Sequence, residues 1–310
     1  MKKAKIILLS YIRKLNGEMP PRTDLQEYII SEKPRGKNPV LIHIILFVIT
    51  LFTTTLAGAG SGDTFLGALA GGLPYSLTLM AILLSHEFGH YFAAKNFGVS
   101  ATLPYFIPFP SLIGTMGAVI KTRSPIPHRR ALLYIGAMGP IPGFIVSIVA
   151  VVIGISLSRV QPLPVPATGA QIPIFGDSML FALIVKIIHG SIPPGHDIFL
   201  SPYAWAGWIG FLITSLNLMP IGQLDGSHVL YALIGPSQRY FGWGALTALF
   251  ILSFFWYGWA VWIIITLVIL MVAHPPVPEG PALAWYEKAA GWSCLAILLL
   301  TFIPVPVEFL

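Results

Sequence analysis

The sequence LPYSLTLMAILLSHEFGHYFAAKNF, residues 73–97, combines a long apolar stretch with two histidines and a glutamate. A stretch of this length is sufficient for a helix that crosses the hydrocarbon core of a bilayer, which is about 30 Å thick. An ionisable side chain within a membrane span costs at least about 2.5 kcal/mol, so such side chains mark functional positions by default. This stretch therefore predicts a membrane helix that carries a functional site.

The composition of the 310-residue chain indicates a membrane protein with several spans. The chain is 55% hydrophobic and 10% charged, whereas soluble domains are about 25% charged. A chain so poor in charge cannot cover its surface with polar groups, which excludes a soluble globular protein. The net charge of +6 does not indicate nucleic-acid binding, because the basic residues cluster beside the apolar stretches.

We predict an all-α polytopic membrane protein with six to eight transmembrane helices and a small membrane-associated loop or β segment near the site. Residues 158–201 have a mixed composition, and we place them along the outer surface. The predicted spans are residues 40–59, 73–97, 131–157 (kinked by Pro140 and Pro142), 203–218, two within 240–273, and 285–303.

The charge of the N-terminal segment predicts the orientation. Residues 1–39 contain nine Lys or Arg and four Asp or Glu, which by the positive-inside rule places the N-terminus in the cytoplasm. The first residues form either a basic amphipathic helix on the membrane surface or a disordered basic tail. Because we recognise neither a signal nor a transit peptide, we expect a prokaryotic cytoplasmic membrane.

The motif HEFGH predicts a metal site within the second span. His86 and His90 are four residues apart, so on a helix both imidazoles face one point. Glu87 lies about 100° further round the helix, where it can hold a water molecule without being a ligand. Zinc needs this arrangement, with neutral imidazoles as ligands, an open position for water, and a carboxylate that takes its proton. The alternative is a pair of core histidines hydrogen-bonded to nearby carbonyls.

Asp225 is the candidate third ligand. The chain has one cysteine, Cys294, so the remaining ligand must be His, Asp or Glu. Asp225 lies in NLMPIGQLDG directly after the fourth predicted span, on the same side as the two histidines, whereas Asp63, Asp177 and Asp197 map to the outer side. His228 is the rival ligand. Asp225 could instead be the N-cap of a helix beginning at the next residue.

These motifs resemble the site-2 protease family of intramembrane zinc metalloproteases, peptidase family M50. The resemblance rests on HEFGH, on GTMGAVIKTRSP and on NLMPIGQLDG, and it covers about half of the chain, residues 73–233. It is closest to bacterial and chloroplast members without a PDZ domain, because residues 97–130 are too few to hold one. Members with a compact N-P-D-G motif have Asn and Pro beside the aspartate, whereas here Asn217 and Pro220 lie upstream.

The resemblance implies that His86, His90 and Asp225 bind one Zn²⁺ and that Glu87 is the general base. The implied activity is hydrolysis of a peptide bond in or near the transmembrane segment of a membrane protein, within the lipid bilayer and without nucleic acid. Asn217 either donates to the oxyanion or caps the fourth span. The alternative function is an ion transporter or channel with an intramembrane His/Asp metal site. A non-catalytic scaffold is a third possibility, although the intact Glu87 argues against it.

The stretch Gly114–Thr122 predicts a strand beside the site. Residues 118–122 are β-prone, and Gly114 and Gly117 allow a second chain to approach closely. Such a strand could pair with an unwound substrate by edge addition, and the alternative is an ordinary interfacial loop. The predicted organisation is a basic segment (1–39), the first transmembrane helix and outer loop (40–72), a metalloprotease core with both motifs (73–235) and C-terminal transmembrane helices (236–310).

Overall fold

Helices make up most of the structure, a computed structural model that describes residues 40–60, 64–163, 173–271 and 277–309. The predicted basic segment 1–39 and the loop position Asp63 lie outside the described residues. The helices are α1 (Val40–Ala57), α2 (Phe65–Asn96), α3 (Arg129–Ala137), α4 (Pro140–Leu157), α5 (Met179–His189), α6 (Pro202–Asn217), α7 (Asp225–Ile234), α8 (Gln238–Leu252), α9 (Gly258–Met271) and α10 (Trp285–Thr301).

Short strands form antiparallel pairs between these helices. The pairs are β1 (Tyr105–Pro108) with β2 (Thr115–Val119), β3 (Arg159–Pro162) with β5 (His196–Phe199), and β4 (Pro173–Phe175) with β6 (Val307–Phe309). The first pair contains part of the predicted strand region. Its register shifts between Phe106 and Pro108, which is a local irregularity in the ladder.

Three helices of the described residues are long and apolar enough to cross a membrane: 40–58, 65–96 and 129–157, the last comprising α3 and α4. The other predicted spans correspond to α6, α8, α9 and α10, which have 14 to 17 residues. A helix needs about 20 residues to span the core without local thinning. Helix length therefore supports a membrane protein but does not establish the count of six to eight crossings.

The helix α2 begins at Phe65, eight residues before the predicted start at residue 73. The Thr64 hydroxyl accepts a hydrogen bond from the Gly67 N–H at 3.1 Å and caps this end. The helix therefore extends beyond the predicted span at its N-terminal end and continues through Pro74, which lies inside it. With 32 residues, α2 is about 48 Å long at 1.5 Å per residue, more than the thickness of the core.

The third predicted span is divided into two helices at Met138 and Gly139. Pro140 is the first residue of α4, a position that tolerates its missing N–H, so the prolines start a new helix instead of bending a continuous one. The break directs α3 towards α7 and α4 towards α2 and α6. It thereby brings the short connection between α3 and α4 beside the HEFGH motif of α2.

The central core lies where α2, α4 and α6 pack together. Tyr75 and Leu79 of α2, Val151 of α4, and Ile209 and Phe211 of α6 are completely buried in one cluster. A second cluster joins α3, α7 and α10. Phe144 of α4 packs against both clusters and thereby connects them.

Candidate metal centre

His86 and His90 direct their Nε2 atoms to one point on α2. The two Nε2 atoms are 3.1 Å apart, and both residues are nearly completely buried. The spacing of four residues on a regular helix is sufficient to explain this convergence. The histidines therefore offer two ligating atoms on a single helical face, as the sequence predicts.

Asp225 meets both histidines from α7. Its Oδ2 atom lies 3.2 Å from Nε2 of His86 and 3.2 Å from Nε2 of His90. Asp225 is the first residue of α7, and the N-cap is Leu224, which makes no side-chain capping bond. The carboxylate thus faces the histidines, and the N-cap alternative does not describe this structure.

The three ligating atoms fit a zinc ion. Zinc bound tetrahedrally at about 2.0–2.1 Å separates its nitrogen and oxygen ligands by about 3.3 Å, close to the observed 3.1 and 3.2 Å. Among the described residues, this triad is the one group of His, Cys, Asp and Glu that could hold a metal ion. Three protein ligands leave a fourth position for water, which is typical of catalytic zinc sites.

The Ile135 carbonyl orients the ring of His90. His90 Nδ1 lies 2.6 Å from this oxygen, which can only accept a hydrogen bond. Nδ1 must therefore carry the proton, which leaves the Nε2 lone pair facing the other two ligands. His90 thus bonds to a carbonyl as the core-histidine alternative requires, and this same bond prepares it as a ligand.

Three glycines bring the backbone of α3 and α4 against the ligands. A Cβ atom at Gly139 would overlap the His90 ring, and one at Gly143 would lie 3.2 Å from His86. At Gly136 it would lie 3.1 Å from the carbonyl oxygen of Asp225. The sequence analysis missed these residues, although the spacing in IGAMGPIPG, with small residues on one side of a helix, is a recognisable sign of close packing.

Glu87 lies next to the candidate ligands His90 and Asp225 and near the end of the β1–β2 hairpin. It is 5% exposed and lies close enough to His90 and Asp225 to interact with them electrostatically. The backbone of Ile120, directly after β2, lies close enough to the Glu87 carboxylate to interact with it. The structure therefore places the end of the predicted strand region beside the predicted base.

Asn217 and His228 have different relations to the triad. Asn217 is the last residue of α6, and its Nδ2 lies 3.4 Å from Nε2 of His86. The C-cap of this helix is the next residue, Leu218. His228 is not part of the group of possible metal-ligating residues. It packs against α3, because a Cβ atom added at Gly136 would lie 2.9 Å from the Cβ atom of His228.

Asp177 and Asp197 lie away from the triad. Both line a cavity of about 530 Å³ whose walls include Phe175, Trp205 and Trp208. None of the three ligating residues lines this cavity. The assignment of these two aspartates to the outer side of the membrane stays a prediction.

Comparisons with known proteins identify related sequences. The family model described as Peptidase family M50 matches residues 74–255, more than half of the chain. The probable zinc metalloprotease EGY2, chloroplastic, of Arabidopsis thaliana is 28% identical over 252 residues, which cover 78% of this chain and 43% of that protein. The probable zinc metalloprotease EGY1, chloroplastic, of Oryza sativa subsp. japonica is 28% identical over 261 residues, covering 83% and 44%.

The match to the plant proteins covers only part of their length, whereas the family model matches more than half of this chain. The chain spans less than half the length of the two plant proteins. No solved structure matches it. The family match covers the HEFGH motif, the β1–β2 hairpin and the NLMPIGQLDG motif together, which are the elements that build the metal centre. This chain therefore belongs to peptidase family M50.

Proposed function

We propose that this protein is an intramembrane zinc metalloprotease that hydrolyses a peptide bond in or near the transmembrane segment of membrane-protein substrates. The observation that carries the proposal is the convergence of His86, His90 and Asp225 within 3.2 Å beside Glu87. Family membership and the names of the plant relatives support a peptidase. An ion transporter with the same metal site is not favoured, since it needs no base beside the ligands.

The chemistry divides between the metal and the chain. A bound zinc ion acts as a Lewis acid towards the attacking water and the peptide carbonyl. Glu87 accepts a proton from that water and then delivers it to the nitrogen of the leaving amine. The same carboxylate therefore takes up and releases this proton and ends the reaction ionised again. Asn217 Nδ2 is positioned to donate a hydrogen bond to the developing oxyanion, because it lies beside the His86 ligand atom.

The substrate must be extended at the site, because the carbonyls of a helix are engaged in its own hydrogen bonds. We propose that the extended substrate pairs with β2. Among the described residues, β2 is paired with β1 along one edge, and its other edge has no strand partner. The backbone of Ile120 next to this strand lies near the Glu87 carboxylate, which would bring a paired peptide to the base. Addition of a strand at an open edge supplies backbone hydrogen bonds without requiring one particular sequence.

We further propose the membrane arrangement. The chain crosses the membrane six to eight times with its N-terminus in the cytoplasm, and the membrane is a prokaryotic cytoplasmic membrane. The names of the plant relatives assign them to the chloroplast, which is the alternative location. Residues 73–235 form the metalloprotease core, because every residue given a role above lies within them, and residues 236–310 add C-terminal helices.

The substitution Glu87→Gln tests the proposed activity. It keeps the size of the side chain but removes the base, so we expect cleavage of a single-span reporter to fall by at least about 100-fold. Zinc content should remain one ion per chain, because Glu87 is not a ligand. The measurement is cleavage of the reporter in proteoliposomes together with metal analysis of the same samples.

Ser85→Ala is the matched control on the same helix. The Ser85 hydroxyl donates to the Ala81 carbonyl of its own helix and contacts none of the ligands, so this variant should retain both activity and zinc. If Glu87→Gln cleaves the reporter at the rate of the unmodified protein, Glu87 is not the base and the proposed mechanism is wrong.

A further inference from the structure

A partly buried loop, residues 218–224, connects α6 to the metal ligand Asp225. Leu218, Met219 and Ile221 in this loop are at most 4% exposed, whereas Gln223 is exposed. Carbonyl oxygens in the buried part of the loop have little access to water and need hydrogen-bond donors from the protein. The groups that supply these donors therefore determine the path of the loop and the position of the carboxylate that follows it.

Gln238 and Ser227 satisfy two of these carbonyls through one connected network. Gln238 Nε2 donates to the Pro220 carbonyl at 3.1 Å and to Oγ of Ser227 at 2.6 Å. The Ser227 hydroxyl in turn donates to the Gly222 carbonyl at 2.6 Å. The orientation of the Gln238 amide is determined, since a carbonyl can only accept and the amide nitrogen must face Pro220.

The network is buried and links three elements. Gln238 begins α8 and is 4% exposed, while Ser227 lies in the first turn of α7 and is completely buried. A Cβ atom at Gly226 would overlap the Leu218 carbonyl, so the two ends of the loop already pack against each other. A loop closed this tightly transmits a change in its path directly to the first turn of α7.

We propose that Gln238 and Ser227 are positioning residues for the metal site, a role that rests on the proposed function. They hold the loop so that the Asp225 carboxylate meets the two imidazoles. The histidines are fixed independently, by the regular helix α2 and by the Ile135 carbonyl. Loss of the network therefore displaces one ligand of three and leaves the other two in place.

Gln238→Met is the informative substitution, because methionine keeps the length of the side chain and has no donor. We expect the zinc affinity of the purified full chain, measured by chelator competition, to fall 10- to 100-fold, as for other residues that orient metal ligands. The visible absorption of the Co²⁺-substituted protein should also change, because it depends on the geometry of the ligands. A side chain with a merely structural role would not alter this spectrum.

Ser227→Ala provides a second, smaller change that keeps the Gln238 bond to Pro220. We expect it to weaken zinc binding as well. In the double variant the loss should be smaller than the product of the two single losses, because both residues act through one network. Arg239→Met is the matched control on the neighbouring position, since Arg239 is exposed and donates to Tyr240; it should leave affinity and spectrum unchanged.

The outcomes separate this inference from the proposed function. If folded Gln238→Met and Ser227→Ala proteins bind zinc with unchanged affinity and give an unchanged Co²⁺ spectrum, the positioning role is wrong and the proposed function stands. If the unmodified protein binds no zinc, the proposed function itself fails. If Gln238→Met does not fold, the result for Ser227→Ala decides.

Discussion

At Gly139 the backbone passes directly beside the His90 ring. A Cβ atom there would overlap three ring atoms, and the ring cannot turn aside without losing the bond from Nδ1 to the Ile135 carbonyl. The φ angle of Gly139 is −86°, which any residue can adopt. Glycine is therefore required by the approach of the metal ligand and not by an unusual backbone conformation.

We expect Gly139→Ala to weaken zinc binding by at least about tenfold, since it displaces a ligand. The control is Gly71→Ala in α2, where the new Cβ would meet nothing within 4 Å, so zinc affinity should not change. Chelator competition on both purified variants checks this. Unchanged affinity in the Gly139 variant would mean that α2 and the α3–α4 connection lie further apart than described here.

The positions of individual residues were predictable to different degrees. His86 and His90 could be identified because their spacing of four is a property of the helix itself. Asp225 could be proposed only because it lies in a second recognisable motif, NLMPIGQLDG. No local pattern links it to His90, which lies 135 positions earlier in the chain. The Ile135 carbonyl and Gln238 could not be predicted, because their roles depend on tertiary contacts that carry no sequence pattern.

The β1–β2 hairpin is attached to α1 at Gly114. The Thr53 hydroxyl donates to the Gly114 carbonyl at 2.7 Å, and a Cβ at Gly114 would lie 2.5 Å from Cα of Thr54. Gly114 also has a φ angle of +84°, which favours glycine. This contact fixes the hairpin against α1, and Ile120 at the end of the hairpin lies near Glu87, the proposed base.

We expect Gly114→Ala to lower cleavage of a transmembrane reporter by about tenfold or more, since misplacement of the substrate strand by 1 Å has effects of this order. Zinc content should not change. Gly190→Ala is the control, because Gly190, which follows α5, has a similar φ of +73° but open space where the Cβ would lie. Equal losses in both variants would show that backbone strain, and not the contact with α1, is responsible.

The elements were predictable where the pattern is local. The strand propensity of residues 118–122 predicted an extended segment. The observed strand β2, Thr115–Val119, overlaps this segment at its first two residues. Its partner β1 was missed because YFIP ends in proline, which argues against a strand. The start of α2 at Phe65 was not predicted, because the hydropathy of a span does not show how far its helix continues beyond the membrane.

Many large apolar side chains are exposed on the surface of the described part of the molecule, and α1 shows this most clearly. The buried residues of α1 are all polar, namely His43, Thr50, Thr54 and Thr55, whereas many of its aliphatic side chains are exposed. Thr54 Oγ1 and Ser76 Oγ are 2.6 Å apart and join α1 to α2. This distribution is typical of helices packed within a membrane, and the low charge content predicted it.

The number of crossings was less predictable than the class. Hydropathy indicates where apolar segments lie, but not whether a helix of 14 to 17 residues crosses the membrane or ends within it. The site depends little on this count, because its residues come from α2, α6, α7 and the turn after β2. The proposed function depends most on the candidate metal site, in which the Asp225 carboxylate is the proposed third ligand.

Measuring the zinc stoichiometry of the detergent-purified protein and of its Asp225→Ala variant shows whether Asp225 is a zinc ligand. We predict one zinc ion per chain in the unmodified protein and in the control Asp177→Ala, whose carboxylate lies in a cavity away from the triad. Asp225→Ala should lose the ion or bind it at least about tenfold more weakly. Undiminished zinc in Asp225→Ala would contradict the account and make His228 the candidate for the third ligand.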